Sequence, residues 1–287
     1  MLFSAAITLA MVCAASVLRR AGALRIPNNA QAEIQARSLL VLVLWGAFLG
    51  AAVLAKGPAA VILAGGAIGV WALVTSNWRA AFGLAHPVAI AAFCAVGLPW
   101  YALCARRNPD FLRVFIFQHN FERYLTPLFQ HQQPFWFFGP ITILALLPWS
   151  AFLIGAAQEA MRLWREKTWT NSPGFFLACW AVFPIVFFSF SQSKLPSYIL
   201  PAVPALALVA AIGASRSFPK SRTNAVILSA GIAVVWIVLA AVFLHAAHKI
   251  PFAEMETSIP ALAAAALAIA IAVAAGILYA GLRGNLA

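Results

Sequence analysis

A bundle of membrane-crossing α-helices is the fold class this sequence predicts, and three observations carry that prediction. Apolar residues make up 64% of the chain and charged residues only 9%. The mean hydropathy is +0.92. Apolar runs of about 20 residues, enough to cross a bilayer, recur between short polar breaks. Soluble domains carry roughly 25% charged residues, so a globule of this composition could not cover its surface in water. In lipid every backbone amide must find a partner inside the protein, and a helix satisfies its own.

The first run, residues 2–18, is apolar from its start and ends at Arg19 and Arg20. A signal peptide has the opposite order, so this run reads as a spanning helix, with further sequence expected upstream of it. Eight more helices follow near 39–55, 58–76, 84–104, 135–156, 174–191, 195–214, 224–245 and 259–282, giving about nine spans in a single transmembrane domain, residues 1–287. The 58–76 run is short and Gly-rich; close helix packing accounts for Gly65, Gly66 and Gly69 better than phosphate cradling does.

The basic residues orient the bundle. Of 19 Lys and Arg, twelve fall in one set of alternate loops: Arg19 to Arg37, Arg79, Arg162 to Lys167, Arg216 to Arg222, and Arg283. The other set holds seven: Lys56, Arg106, Arg107, Arg113, Arg123, Lys194 and Lys249. The richer set is cytoplasmic by the positive-inside rule, which puts the N-terminus outside and the C-terminus inside a cytoplasmic (inner) membrane. An outside N-terminus without a signal again points to a span upstream. A net charge of +12 would suggest nucleic acid in a soluble domain, but here the charges are single residues between apolar runs, and no nucleic-acid partner is expected.

The exoplasmic loop 105–134 is the long one. Its Phe111, Val114, Phe115, Gln118 and Glu122 suit a helix lying in the membrane interface, and Pro134 followed by four aromatic residues resembles an interfacial belt. The cytoplasmic stretch 157–172 is a solvated connector. Cys13, Cys94, Cys104 and Cys179 lie in or beside apolar runs without metal or redox spacing and read as inert.

Three cations on the poorer face need an explanation beyond orientation. Lys56 lies in Ala-Lys-Gly-Pro, Lys194 in Ser-Gln-Ser-Lys-Leu-Pro, and Arg123 on the long loop. A lone lysine at a helix end most often snorkels to water. Together the three share a depth and a face. The prolines beside the two lysines would free backbone amides toward a polar cavity, and such a group suits a phosphate at the headgroup level. On the long loop, His119, Glu122 and Arg123 share one face of a helix. That face admits metal ligation by His119 and Glu122, or an Arg123–phosphate contact with Glu122 orienting His119, or a plain polar interfacial surface. His245 and His248 near Glu254 and Glu256 read as a wet loop. Nucleophilic triads, P-loops and dinucleotide fingerprints are absent.

Several strings together resemble one family: Leu54-Ala55-Lys56-Gly57-Pro58, Pro99-Trp100-Tyr101, Arg107-Asn108-Pro109-Asp110-Phe111, His119-Asn120-Phe121-Glu122-Arg123-Tyr124, the run His131 to Phe138, Leu147-Pro148-Trp149-Ser150, and Ser193-Lys194-Leu195-Pro196-Ser197-Tyr198. Their order is similar to that in the aminoarabinose-transferase and protein-mannosyltransferase-like membrane glycosyltransferases, over residues 38 to 215. The resemblance implies a GT-C fold and transfer of a sugar from a polyprenyl phosphate to an acceptor outside the membrane. It implies that Lys56, Arg123, Lys194 and Tyr198 hold the donor phosphate, that His131, Gln132 and Ser197 line the sugar or acceptor cavity, and that His119 and Glu122 match the long-loop segment where some members hold a divalent metal. The family's catalytic acidic loop precedes anything present, since no Asp or Glu comes before Glu33. Expected alternatives are therefore a truncated or inactive form, a split enzyme whose partner chain carries the first helices, or a non-catalytic lipid-binding subunit.

Overall fold

The computed structural model describes residues 1–24, 38–115, 133–147 and 149–217, and 227, 230–232, 234–238, 241, 268, 271–272, 275 and 279. Among them the chain is helical, without strands. We number the helices α1 (Leu2–Arg20), α2 (Ser38–Lys56), α3 (Ala59–Thr75), α4 (Trp78–Gly83), α5 (Pro87–Arg107), α6 (Phe138–Ala145), α7 (Phe152–Arg165), α8 (Pro173–Ser189) and α9 (Val203–Ser217). The expected spans near 224–245 and 259–282 fall almost wholly outside the described residues.

Local chemistry explains the helix ends. Arg19 and Arg20 lie in the last turn of α1, where positive charge faces the negative end of the helix dipole. Ser76 takes the left-handed conformation after α3 (φ 57°), and the Asn77 amide reaches back to the Ala72 carbonyl at 3.1 Å, closing orphan carbonyls. Pro87 and Pro173 open α5 and α8, each preceded by a side chain that caps a free amide: His86 accepts from Val88, and Ser172 from Phe175.

Among the described residues three helices, α1, α2 and α5, are long and apolar enough to cross a membrane, and three shorter apolar ones lie at Ala59–Thr75, Pro173–Ser189 and Val203–Arg216. Two expected continuous helices are interrupted. The run 135–156 is a 3-10 turn (Phe135–Phe137), then α6, then a second 3-10 turn (Trp149–Ala151) leading into α7. The run 195–214 is a 3-10 turn (Pro196–Ile199) followed by α9. Pro148 lies at the first break, and Pro196 and Pro201 at the second; each lacks the amide that a continuous helix needs. The expected connector 157–172 is helical as far as Arg165, and there the exposed Arg162 bonds Glu159 at 2.6 Å and Glu166 at 3.0 Å.

Two compact units divide the chain: residues 1–146 with 157–209, and residues 147–156 with 210–287. In the second, Phe152, Ala210 and Ile232 form a buried cluster under Trp149, Leu153, Ala214 and Trp236. A Cβ on Gly213 would run into the Phe152 carbonyl, so backbone packs on backbone there.

The first unit holds the helices that matter most for function. The helices α2 and α5 run parallel: Gly46 meets Ala89, Gly50 meets Phe93 and Gly97, and the Tyr101 hydroxyl donates to the Val53 carbonyl at 2.7 Å. The antiparallel pair α3 and α8 is joined by Trp71 edge-on to Phe176 (5.9 Å) and by Gly66 under the Phe183 ring. At the start of α1, Phe3 meets Lys56 at the end of α2, so these two are also antiparallel. One end of the unit therefore gathers Phe3, the Lys56–Pro58 turn, Arg106 and Arg107, and the turn after Ser189. The other end gathers Arg19, Arg20, Arg79, His86 and Ser172.

Candidate functional site

The turn after α8 begins where the helix runs out at Ser189, and a short serine-rich loop follows before Pro196 starts the 3-10 turn. Ser191 organises that loop: its hydroxyl donates to the Ser193 carbonyl at 3.0 Å and accepts from the Ser193 amide at 3.3 Å. The result turns Lys194 inward. Only 7% of Lys194 is exposed, and its ammonium donates to the Ser191 carbonyl at 2.6 Å.

This lysine does not snorkel. An ammonium has three N–H donors, and among the described residues Lys194 finds one neutral acceptor and no carboxylate. Burying a charge with so little compensation costs several kcal/mol, on the order of the penalty for an unpaired interior ion. Beside it Ser193, 2% exposed, holds a buried hydroxyl with no hydrogen-bond partner among the described residues. Two buried donors in one turn make a site short of an acceptor.

Lys56 arrives at the same end from α2. Its ammonium stands 4.5 Å from the centre of the Tyr198 ring and 5.3 Å from that of Phe3. Tyr198 is itself buried, with Phe188 4.7 Å behind it. Gly57 provides the left-handed bend (φ 75°) that lets the chain reverse directly after Lys56. Of the amides near the two prolines, that of Gly57 bonds the Val53 carbonyl at 2.7 Å and that of Tyr198 bonds the Leu195 carbonyl at 3.0 Å, each turn closing on its own backbone. To these turns the end adds side-chain charge.

Of the residues singled out from sequence, Lys56, Lys194, Tyr198 and Ser197 thus share one end of the unit, with Ser197 exposed on the 3-10 turn. Arg123, His119, Glu122, His131 and Gln132 lie outside the described residues, as do His245, His248, Glu254 and Glu256. Among the described residues no group of three His, Cys, Asp or Glu side chains could hold a metal ion. On the long loop, Phe111 and Phe115 stack at 5.5 Å, and Tyr101 lies against both, where the expected interfacial helix begins. Sequence reasoning missed Ser191, Ser193 and Phe3; the Ser-x-Ser-Lys spacing was the only available signal for the first two.

Known proteins share this architecture. Residues 1–115 match the family model for dolichyl-phosphate-mannose-protein mannosyltransferase. The undecaprenyl phosphate-alpha-4-amino-4-deoxy-L-arabinose arabinosyl transferase of Photorhabdus laumondii is 41% identical over 125 residues, 44% of this chain and 22% of the relative. The Edwardsiella ictaluri enzyme of that name is 33% identical over 169 residues, 59% of this chain and 30% of the relative. The crystal structure of ArnT from Cupriavidus metallidurans bound to undecaprenyl phosphate superposes over 97% of this chain with a TM-score of 0.68 and 25% identity. The chain thus has the fold of that solved membrane protein over nearly all its length, and its sequence is similar to the aminoarabinose transferases over about half of it. It spans about half the solved protein, 48% of that chain, and the matched stretches cover less than a third of the two curated relatives.

Proposed function

We propose that this chain forms the lipid-phosphate end of a glycosyltransferase that takes a sugar from a polyprenyl-phosphate donor and passes it to an acceptor at the outer face of the cytoplasmic membrane. The relatives are named for undecaprenyl phosphate-linked aminoarabinose, and the solved neighbour is bound to undecaprenyl phosphate, which supports an undecaprenyl-type donor here. The observation that carries the reading is the buried Lys194 ammonium, which has a single neutral acceptor among the described residues. A phosphate is the partner that such a group lacks.

In the transfer the acceptor attacks the anomeric carbon, the bond from that carbon to the phosphate oxygen breaks, and the electron pair leaves with the lipid phosphate. Negative charge grows on the leaving group as that bond opens. Lys194 and Lys56, with Arg123 from the long loop, stabilise it by standing ready in a site that excludes water. Ser193 adds a neutral donor, and Tyr198 holds Lys56 in position by its ring face. His131, Gln132 and Ser197 are assigned to the sugar and acceptor side.

The test replaces Lys194 with methionine, which fills a similar volume. Undecaprenyl phosphate titrated into the purified chain in low-salt detergent should bind about 10- to 100-fold more weakly, the scale of one charge-assisted hydrogen bond. The unfolding midpoint should hold or rise, because a buried charge short of partners is removed. Unchanged affinity in Lys194→Met sinks the assignment.

A further inference from the structure

At the opposite end from Lys56 and Lys194, an apolar groove of about 380 Å³ opens between α2, α3, α4 and α5. Leu49, Gly65, Gly69, Trp78, Phe82 and Phe93 are among the residues that line it. Two of them are glycines spaced one helical turn apart on α3, and a Cβ built on either meets nothing within 4 Å. The groove therefore exists because side chains are missing from that face. From Val61 to Gly69 it follows α3 for about 12 Å, and it continues past the end of that helix to Trp78 and Phe82 on α4.

The mouth is basic. The short helix α4 contributes Trp78 and Phe82 to the lining, and between them Arg79 is exposed and has no ion-pair or hydrogen-bond partner among the described residues. The helix α1 touches α4 and ends in Arg19 and Arg20. An apolar slot with an exposed guanidinium beside two of its lining residues is complementary to one kind of molecule. Basic pockets between helices bind anionic phospholipid headgroups in this way.

We infer that this groove holds an anionic phospholipid, one acyl chain lying over Gly65 and Gly69 and the headgroup phosphate at Arg79. This site is separate from the polyprenyl-phosphate end and does not rest on that reading.

The test uses the full chain, purified and stripped of lipid in detergent, with its unfolding midpoint measured on adding back phosphatidylglycerol, phosphatidylcholine or inorganic phosphate. Phosphatidylglycerol should raise the midpoint by on the order of 5 °C. Phosphatidylcholine should raise it less than half as much, and inorganic phosphate should leave it unmoved. Gly65→Leu and, independently, Gly69→Leu should fill the slot and remove the response. Arg79→Gln, on an exposed position, should reduce the phosphatidylglycerol response to that of phosphatidylcholine. Equal responses to the two lipids in the unaltered chain, a full response to inorganic phosphate, or a full phosphatidylglycerol response in both leucine variants would each overturn the inference.

Discussion

Tyr198 stands between two neighbours of different character, the Phe188 ring at 4.7 Å and the Lys56 ammonium at 4.5 Å. A cation over an aromatic face gains roughly 0.5–2 kcal/mol, more as water is excluded. That gain belongs to the ring and not to the phenol oxygen. Tyr198→Phe should therefore keep undecaprenyl phosphate affinity within about twofold, while Tyr198→Leu should lower it about 3- to 10-fold as Lys56 loses its seat. Titration of both variants in the same detergent checks this; equal affinities would detach Lys56 from the site. The two lysines were legible in the sequence because each stands beside a proline at a helix junction on the cation-poor face. Ser193 was not, since a serine in a polar turn looks solvated until tertiary packing buries its hydroxyl. The inward turn of Lys194 was equally hidden: it depends on the Ser191 carbonyl, a backbone group that no motif displays.

Helices that cross a bilayer pack without help from a hydrophobic driving force, so small residues decide how near two backbones come. Gly46 and Gly50, four apart on α2, meet α5 in this way. A Cβ on Gly46 would run into the Ala89 carbonyl, and one on Gly50 would come within 2.9 Å of the Phe93 carbonyl. Gly46→Ala should therefore cost about 1–3 kcal/mol, because rigid backbone and not a flexible side chain must move. Gly69→Ala should be neutral or stabilise by up to about 1 kcal/mol, since open space surrounds it and alanine is the better helix former. Unfolding midpoints in detergent compare the two, and a Gly46→Ala protein as stable as the parent would mean that α2 and α5 stand further apart. Helix existence was legible from hydropathy, with α1, α2, α3 and α8 falling within a few residues of expectation. The runs at 135–156 and 195–214 misled because hydropathy counts apolar atoms and ignores missing amides at proline. The glycines show a similar gap. Sequence assigned Gly65, Gly66 and Gly69 alike to packing, yet only Gly66 touches a neighbour, the Phe183 ring.

Across the first unit, charge pattern and helix pairing agree on which loops share an end. Positive residues resist translocation, so their alternation predicts which turns lie together. The parallel α2–α5 pair and the antiparallel α1–α2 and α3–α8 pairs sort the same turns by contact alone. These are independent sources, one written in loop charges and one in packed side chains, which is why the grouping of these turns was legible in the sequence. What the alternation could not supply is depth along each face: it put Lys56, Arg123 and Lys194 on one side without saying that Lys194 is buried. The pairing also fixes a test of orientation. In a background with the four native cysteines replaced, Gln192→Cys, exposed beside the lysine turn, should react with a membrane-impermeant maleimide in intact cells. Asn77→Cys, in the turn that leads to α4, should react only after permeabilisation. A reversed pattern would put the lysine cluster in the cytoplasm and remove it from any acceptor outside the membrane. Labelling of both from one side would break the antiparallel pairing of α3 and α8, because Asn77 follows one of those helices and Gln192 follows the other.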